Sequence, residues 1–155
     1  FFSWDQLNRL IFVQDPMNNV TRYQYDEPDP IPDSITANII HPRPIREIDA
    51  QGRITRYTYD SNERLTSIVD RNGARTEFSY NLRGDLVRVV DSTGLVTHFV
   101  YDRNRRMIER RRASLLPLGN GNSTASQEVT RFSYDADDRL LNSETLAPDG
   151  EKLVE

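Results

Sequence analysis

Tyr59, Tyr80 and Tyr101 stand 21 residues apart, and each is followed by an acidic or amide residue, Asp60, Asn81 or Asp102. Further columns keep the same step. Asp49, Asp70 and Asp91 are one, Gly52, Gly73 and Gly94 a second, Thr55, Thr76 and Thr97 a third, and Tyr57, Phe78 and Phe99 a fourth. A fixed period of this size signals a stacked or laddered architecture in which each unit contacts its neighbours, and it argues against a globule built around one core.

The periodicity reaches both ends of the chain. Phe2-Ser3-Trp4-Asp5 aligns with Phe78-Ser79-Tyr80-Asn81, Trp4 precedes Tyr25 by 21, and Asp15 and Asn18 fill the Asp and Gly columns with Tyr23 in the aromatic one. The intervals from Tyr25 to Tyr59 and from Tyr101 to Tyr134 are 34 and 33, one period plus an insertion. Residues 1–155 are therefore read as about six partial or complete repeats, with loop insertions at 27–47 and 112–128. The first insertion carries five of the eight prolines, which exclude regular strand from much of it. The second holds LLPLGNGNSTAS and is expected to be a flexible loop.

Each repeat reads as a β-hairpin. Thr76, Phe78 and Tyr80 alternate with Arg75, Glu77 and Ser79, and the same period of two recurs around Phe99 and around Phe132 and Tyr134. The segments from Leu65 and Leu86 are rich in Leu, Ile and Val and read as strands apolar on both faces. Between the strands lies Asp-x-x-Gly, in which Asp accepts a backbone N–H and Gly, or Asn18 in the first copy, takes the positive-φ position. The return turn is Tyr-Asp-x-x-x-Arg-Leu. Repetition of this unit predicts an all-β fold, an antiparallel meander forming a curved open ribbon, with aromatic and β-branched side chains facing each other across strands.

Only 36% of residues are apolar and 28% are charged, with mean hydropathy −0.70. Such polarity is thin material for a core, yet disordered tracts do not hold synchronised columns. Cysteine is absent, which excludes disulfides and thiolate metal sites. The net charge of −4 gives no field for a polyanion, so no nucleic-acid partner is expected. The run Arg103, Arg105, Arg106, Arg110, Arg111 and Arg112 is read as a solvated strand and loop. No apolar run approaches the ~20 residues of a membrane span. The first residue is not Met and falls partway through a repeat, so a longer polypeptide is expected.

Nothing in the sequence assembles an active site, and no catalytic residue, cofactor or metal is expected. His41 lies in the proline-rich stretch and His98 on a strand, neither with the spacing of a zinc or nucleophile motif. Asp15, Asp49, Asp70 and Asp91 would line one edge of the sheet, but calcium loops concentrate several oxygens in one short segment, whereas here each turn supplies one Asp already engaged by its own backbone.

The assembled pattern, Tyr-Asp-x-x-x-Arg-Leu-x-x-x-x-Asp-x-x-Gly-x-x-Thr-x-Phe-x-Tyr-Asp, resembles the YD repeat of the Rhs family, best across Tyr59 to Asp102 and more weakly from Trp4 to Glu155. That family includes bacterial Rhs polymorphic toxins, B and C components of Tc toxin complexes, and teneurins. The resemblance implies that the repeats wind a β-ribbon into a hollow shell around a toxin domain. It also implies a secreted or cell-surface setting. Adjoining YD repeats and a toxin cargo are the implied partners, with Trp4, Tyr25, Tyr59, Tyr80, Tyr101 and Tyr134 as structural positions. The alternative is a carbohydrate- or receptor-binding module, using Tyr57, Tyr59, Phe78 and Tyr80 as an exposed stacking platform. An Asp-Pro-x-Gly self-cleavage motif is absent, so catalytic parts are expected outside these residues.

Overall fold

The computed structural model describes residues 1–25, 42–118, 122–146 and 152–153. Every regular element among them is a strand, and the chain divides into two units, Phe1–Arg75 and Thr76–Glu155. In the first lie β1 (Phe2–Trp4), β2 (Leu10–Gln14), β3 (Val20–Gln24), β4 (Arg46–Ile48), β5 (Ile54–Tyr59) and β6 (Leu65–Val69). The strand β7 (Arg75–Tyr80) opens at the junction. The second unit continues with β8 (Leu86–Val90), β9 (Val96–Tyr101), β10 (Met107–Leu118), β11 (Asn122–Tyr134), β12 (Leu140–Leu146) and β13 (Lys152–Leu153). Within each unit the strands lie side by side in chain order, and each is antiparallel to the next. The expected all-β antiparallel meander is the observed fold.

The two turn types read from the sequence are one structure. Nine turns among the described residues open with Asp5, Asp15, Asp49, Asp60, Asp70, Asn81, Asp91, Asp102 or Asp135. In each, the opener's N–H donates to the carbonyl four residues on, at 2.9–3.0 Å, and its carbonyl accepts the N–H three residues on, at 2.9–3.3 Å. The residue at that third position has positive φ. These are Asn8, Asn18, Gly52, Glu63, Gly73, Gly84, Gly94, Arg105 and Asp138, with φ between 59° and 86°. This is a type I turn closed by a left-handed residue, a loop whose twist matches that of the flanking strands. Glycine, or an Asn or Asp that tolerates this region, marks it at seven of the nine turns, so only the left-handed positions of Glu63 and Arg105 were not legible from residue type.

The opposite ends of each hairpin differ in register. At the Asp-x-x-Gly turns pairing is regular, as in Arg88↔His98, Val89↔Thr97 and Val90↔Val96. At the Tyr-Asp turns it slips by one residue. Ser79 faces Arg88 but Tyr80 faces Leu86, leaving Val87 as the extra residue of a bulge. The same slip occurs before Trp4, Tyr59, Tyr101 and Tyr134. A bulge shifts the alternation, so Leu86 and Val89 face the side carrying Phe78 and Tyr80.

The insertion 112–128 is corrected by the structure. It is largely strand, not loop: β10 and β11 pair without a break from Glu109↔Arg131 to Leu118↔Asn122. The β9 ladder ends at Arg112↔Thr97 and the β12 ladder begins at Val129↔Leu146, so beyond these rungs the hairpin runs on as a two-stranded ribbon. Polar residues can close this ladder because a two-stranded ribbon needs paired backbone more than a buried face. Of the expected loop at 27–47, residues up to 41 lie outside the described residues, and Arg46 and Glu47 belong to β4.

Burial is slight. Among the described residues Tyr25, 8% exposed, is the one buried hydrophobic side chain, joined by Ser67, Thr130 and Asp85. A single layer of strands cannot do otherwise, so ladder and turn hydrogen bonds specify the fold more than a core does. Substituting Gly73→Ala places the new methyl in open space, since nothing lies within 4 Å of it. The cost is therefore conformational alone, about 1 kcal/mol for a left-handed L-residue. Gly73→Asn is expected to be nearly neutral, as Asn already holds this position at Asn8 and Asn18. Urea midpoints of the two variants test this.

Candidate functional site

The residues of the sequence columns converge on the seams between successive hairpins. In every turn the opener's side-chain oxygen Oδ1 accepts two backbone N–H groups. Asp60, for example, takes those of Asn62 and Arg64, each at 2.9 Å. Asp15, Asp49, Asp70 and Asp91 make the same pair of bonds at the other edge. The second oxygen of Asp5, Asp60, Asp102 and Asp135 accepts the Nε–H of the arginine four residues on, at 2.6–2.8 Å.

That arginine is thereby aimed at the next repeat. The Arg9 guanidinium lies 4.5 Å over the Tyr25 ring, and that of Arg106 lies 5.1 Å over Tyr134. Each tyrosine hydroxyl returns a bond to the same seam. Tyr25 donates to the Leu10 carbonyl at 2.9 Å and Tyr134 to the Met107 carbonyl at 2.8 Å, and these acceptors directly follow Arg9 and Arg106. Tyr59 donates to the Pro44 carbonyl at 3.0 Å, so Arg43-Pro44 stands where Arg-Leu stands elsewhere. At these two seams, Asp5-Arg9-Leu10 with Tyr25 and Asp102-Arg106-Met107 with Tyr134, the motif residues form one interlock from one repeat to the next.

The remaining columns are less uniform. Tyr101 faces Met107, and burial, then the Asp85 carboxylate, push its hydroxyl pKa up. Tyr80 faces Leu86. Trp4 faces Leu10 but is 53% exposed, with its ring 6.0 Å from that of Phe2. In the aromatic column Tyr23 faces Glu47, Tyr57 faces Ile68 and Phe78 faces Val89, whereas Phe99 faces Arg110 and Phe132 faces Ser143. The expected aromatic to β-branched pairing thus holds for Tyr57 and Phe78 and fails at Tyr23, Phe99 and Phe132, where the facing strand carries a polar residue. The Tyr57 hydroxyl donates to Glu47 at 3.1 Å and is pushed up to about 12 by burial and then by that carboxylate. Tyr57, Tyr59, Phe78 and Tyr80, the residues of the alternative reading, are each half-buried.

The basic run is divided among partners. Arg105 donates to Asp85 and Arg106 to Asp102 and Asp138, Arg110 reaches Thr130 and Glu128, and Arg111 donates to Glu109. Each unit carries a shallow cleft. One of about 370 Å³ in the first is lined by Arg46, Arg56, Arg75, Thr58 and Ser67, and one of about 570 Å³ in the second by Asn81, Asp85, Tyr101 and Arg103. His98 is exposed on β9, and His41 lies outside the described residues. Among the described residues no cluster of His, Asp or Glu could hold a metal ion, and no helix is long and apolar enough to cross a membrane.

In this antiparallel meander, Tyr-Asp and Arg-Leu residues lock one hairpin to the next. Residues 43–76 and 80–114 match the RHS Repeat family, so these two stretches are similar to YD/Rhs repeats. A probable deoxyribonuclease, RhsB of Dickeya dadantii, is 29% identical over 80 residues, which is 51% of this chain and 5% of that protein. The fold is shared with a mutant Photorhabdus luminescens Tc holotoxin pore, TM-score 0.58 at 15% identity, over 99% of this chain and 9% of that one. Crystal structures of TcdB2-TccC3 and TcdB2-TccC3-Cdc42 match equally, at TM-score 0.58 and 15% identity, each over 99% of this chain and 10% and 9% of theirs. The chain thus spans a small part of each relative's length.

Removing the hydroxyl in Tyr134→Phe is expected to cost about 0.5–1.5 kcal/mol, one hydrogen bond. Arg106→Ala is expected to cost more, because it strips the bonds to Asp102 and Asp138 together with the contact on the ring. Urea unfolding of both variants checks the order. Acid gives an independent test. The backbone N–H groups of Arg9, Arg64 and Arg139, with their guanidinium groups, hold Asp5, Asp60 and Asp135 below the ordinary value of 3.8. A carboxyl lowered on folding stabilises above its unfolded pKa, and that contribution is lost as pH falls through the folded one. Unfolding followed by circular dichroism should therefore set in below about pH 4, and Asp60→Asn should flatten the acid limb while lowering stability at pH 7.

Proposed function

We propose that this chain is a wall segment of an Rhs-type β-shell that encloses, and helps deliver, a toxin domain located elsewhere in the full polypeptide. It has no catalytic role of its own, and the full protein is secreted or displayed at the cell surface. Its partners are the adjoining YD repeats and the enclosed cargo.

One observation carries this reading: the side chains of the repeat columns are consumed by turns and seams. Asp Oδ1 atoms hold backbone, guanidinium groups lie over the rings of the next repeat, and tyrosine hydroxyls cap carbonyls. Groups spent in this way build a wall and present no reacting atom. Supporting the setting are the likeness to a probable deoxyribonuclease, RhsB, and the fold shared with Tc toxin structures.

The test uses the full-length polypeptide that carries this segment. Limited proteolysis of the parent should spare the domain following the repeats. The pair Arg106→Ala and Tyr134→Ala should open the wall and expose that domain to cleavage, with any isolated activity of the domain unchanged. Equal protection in parent and variant, in a full-length protein whose seam variant is shown to be destabilised, would overturn the enclosing role.

A further inference from the structure

Repetition carries a hazard: a hairpin that fits its neighbour also fits the hairpin after it. In the second unit three turns lie along the Tyr-Asp edge, 81–85, 102–106 and 135–139, separated by two strands each. Two ion pairs join them. The Arg105 Nε donates to Asp85 Oδ1 at 2.6 Å, and the Arg106 Nη1 donates to Asp138 Oδ1 at 2.8 Å.

Both pairs have one geometry. Each links the fifth residue of one turn, Asp85 or Arg106, to the fourth residue of the next, Arg105 or Asp138. Their polarity is opposite. The fifth position is arginine in Arg9, Arg64, Arg106 and Arg139, and Asp85 alone inverts it among the described Tyr-Asp turns. The inversion is answered at once, by Arg105 in a left-handed position where the preceding turn has Gly84. Asp85 is held firmly, its side chain 6% exposed and its second oxygen accepting the Asn81 Nδ2–H at 3.0 Å. A non-glycine residue in the left-handed region has a conformational cost, and here it brings a guanidinium against a nearly buried carboxylate.

We infer that the Asp85–Arg105 and Arg106–Asp138 pairs are a charge code on the seam that admits only the correct next hairpin. A slip of one repeat would set the 81–85 turn beside the 135–139 turn, placing Asp85 against Asp138. The correct order alone matches both seams. Like charges held opposite each other disfavour the slipped arrangement, in the way that charge pairs fix register in coiled coils.

The test is a charge-reversal cycle in the full chain combined with a ruler for register. Asp85→Arg and Arg105→Asp should each lower the thermal midpoint by several degrees, and the double reversal should recover at least half of the summed loss. The chain has no cysteine, so Arg83→Cys with Asn104→Cys reports the native seam and Arg83→Cys with Asp137→Cys the slipped one. A thiol crosslinker of about 10 Å spans two strands but not four. After refolding, the parent should link 83 to 104, and Asp85→Arg, now repelled by Arg105 and attracted by Asp138, should lose part of that yield and gain linkage of 83 to 137. Strictly additive reversals, or an unchanged 83–104 yield in refolded Asp85→Arg, would overturn the code. Asp85→Asn is the control for loss of charge without reversal, and it should destabilise without redirecting the crosslink.

Discussion

A carboxylate that accepts two backbone N–H groups of its own turn is the interaction on which the rest of this structure depends. In each described turn the opening Asp, or Asn81, binds the amides two and four residues on, and so holds a type I turn with a left-handed residue behind it. Asx geometry of this kind is local and needs no neighbouring strand. The openers Asp60, Asp70, Asn81, Asp91 and Asp102 fall 10 and 11 residues apart in alternation, so reversals arrive at a fixed cadence and the strands between them are five or six residues long. A chain so poor in apolar residues can fold because its reversals are specified where they occur.

The second constraint is the seam. With a single buried hydrophobic side chain among the described residues, burial contributes little, and adhesion between hairpins falls to polar groups. Arginine is suited to the task because its guanidinium can bond a carboxylate at its edge while its face meets an aromatic ring. Arg106 does both and also reaches Asp138. Stability in such a sheet is close to a sum over neighbouring units. A weak seam is therefore felt locally, and a strong one does not transmit far.

Much of this was legible in advance, and the part that was not has a physical reason. The 21-residue columns, the hairpin, the Asp-x-x-Gly turn and the antiparallel meander followed from period and turn chemistry. The identity of the two turns did not, because Glu63 and Arg105 are residues that rarely adopt positive φ and give no signal at that position. The bulge after each Leu was also hidden, since an extra residue leaves the alternation of types nearly unchanged. The stretch 112–128 was misread because polar, glycine-punctuated sequence resembles a loop, whereas a two-stranded ribbon asks only that its backbone be paired. The motif's Arg and Tyr were visible as columns, but their union was not, since they belong to different repeats.

The sequence by itself determined the class of fold, because Asp, Gly and alternating side chains act within a few residues of one another and their effects can be read along the chain. Only the tertiary structure decided which groups meet across the seams: that Tyr134 caps Met107, that Arg106 reaches Asp138, and that Asp85 exchanges polarity with Arg105. These contacts join residues 20 to 32 positions apart, and such proximity is set by the register of the strands between them, which a bulge of one residue is enough to change.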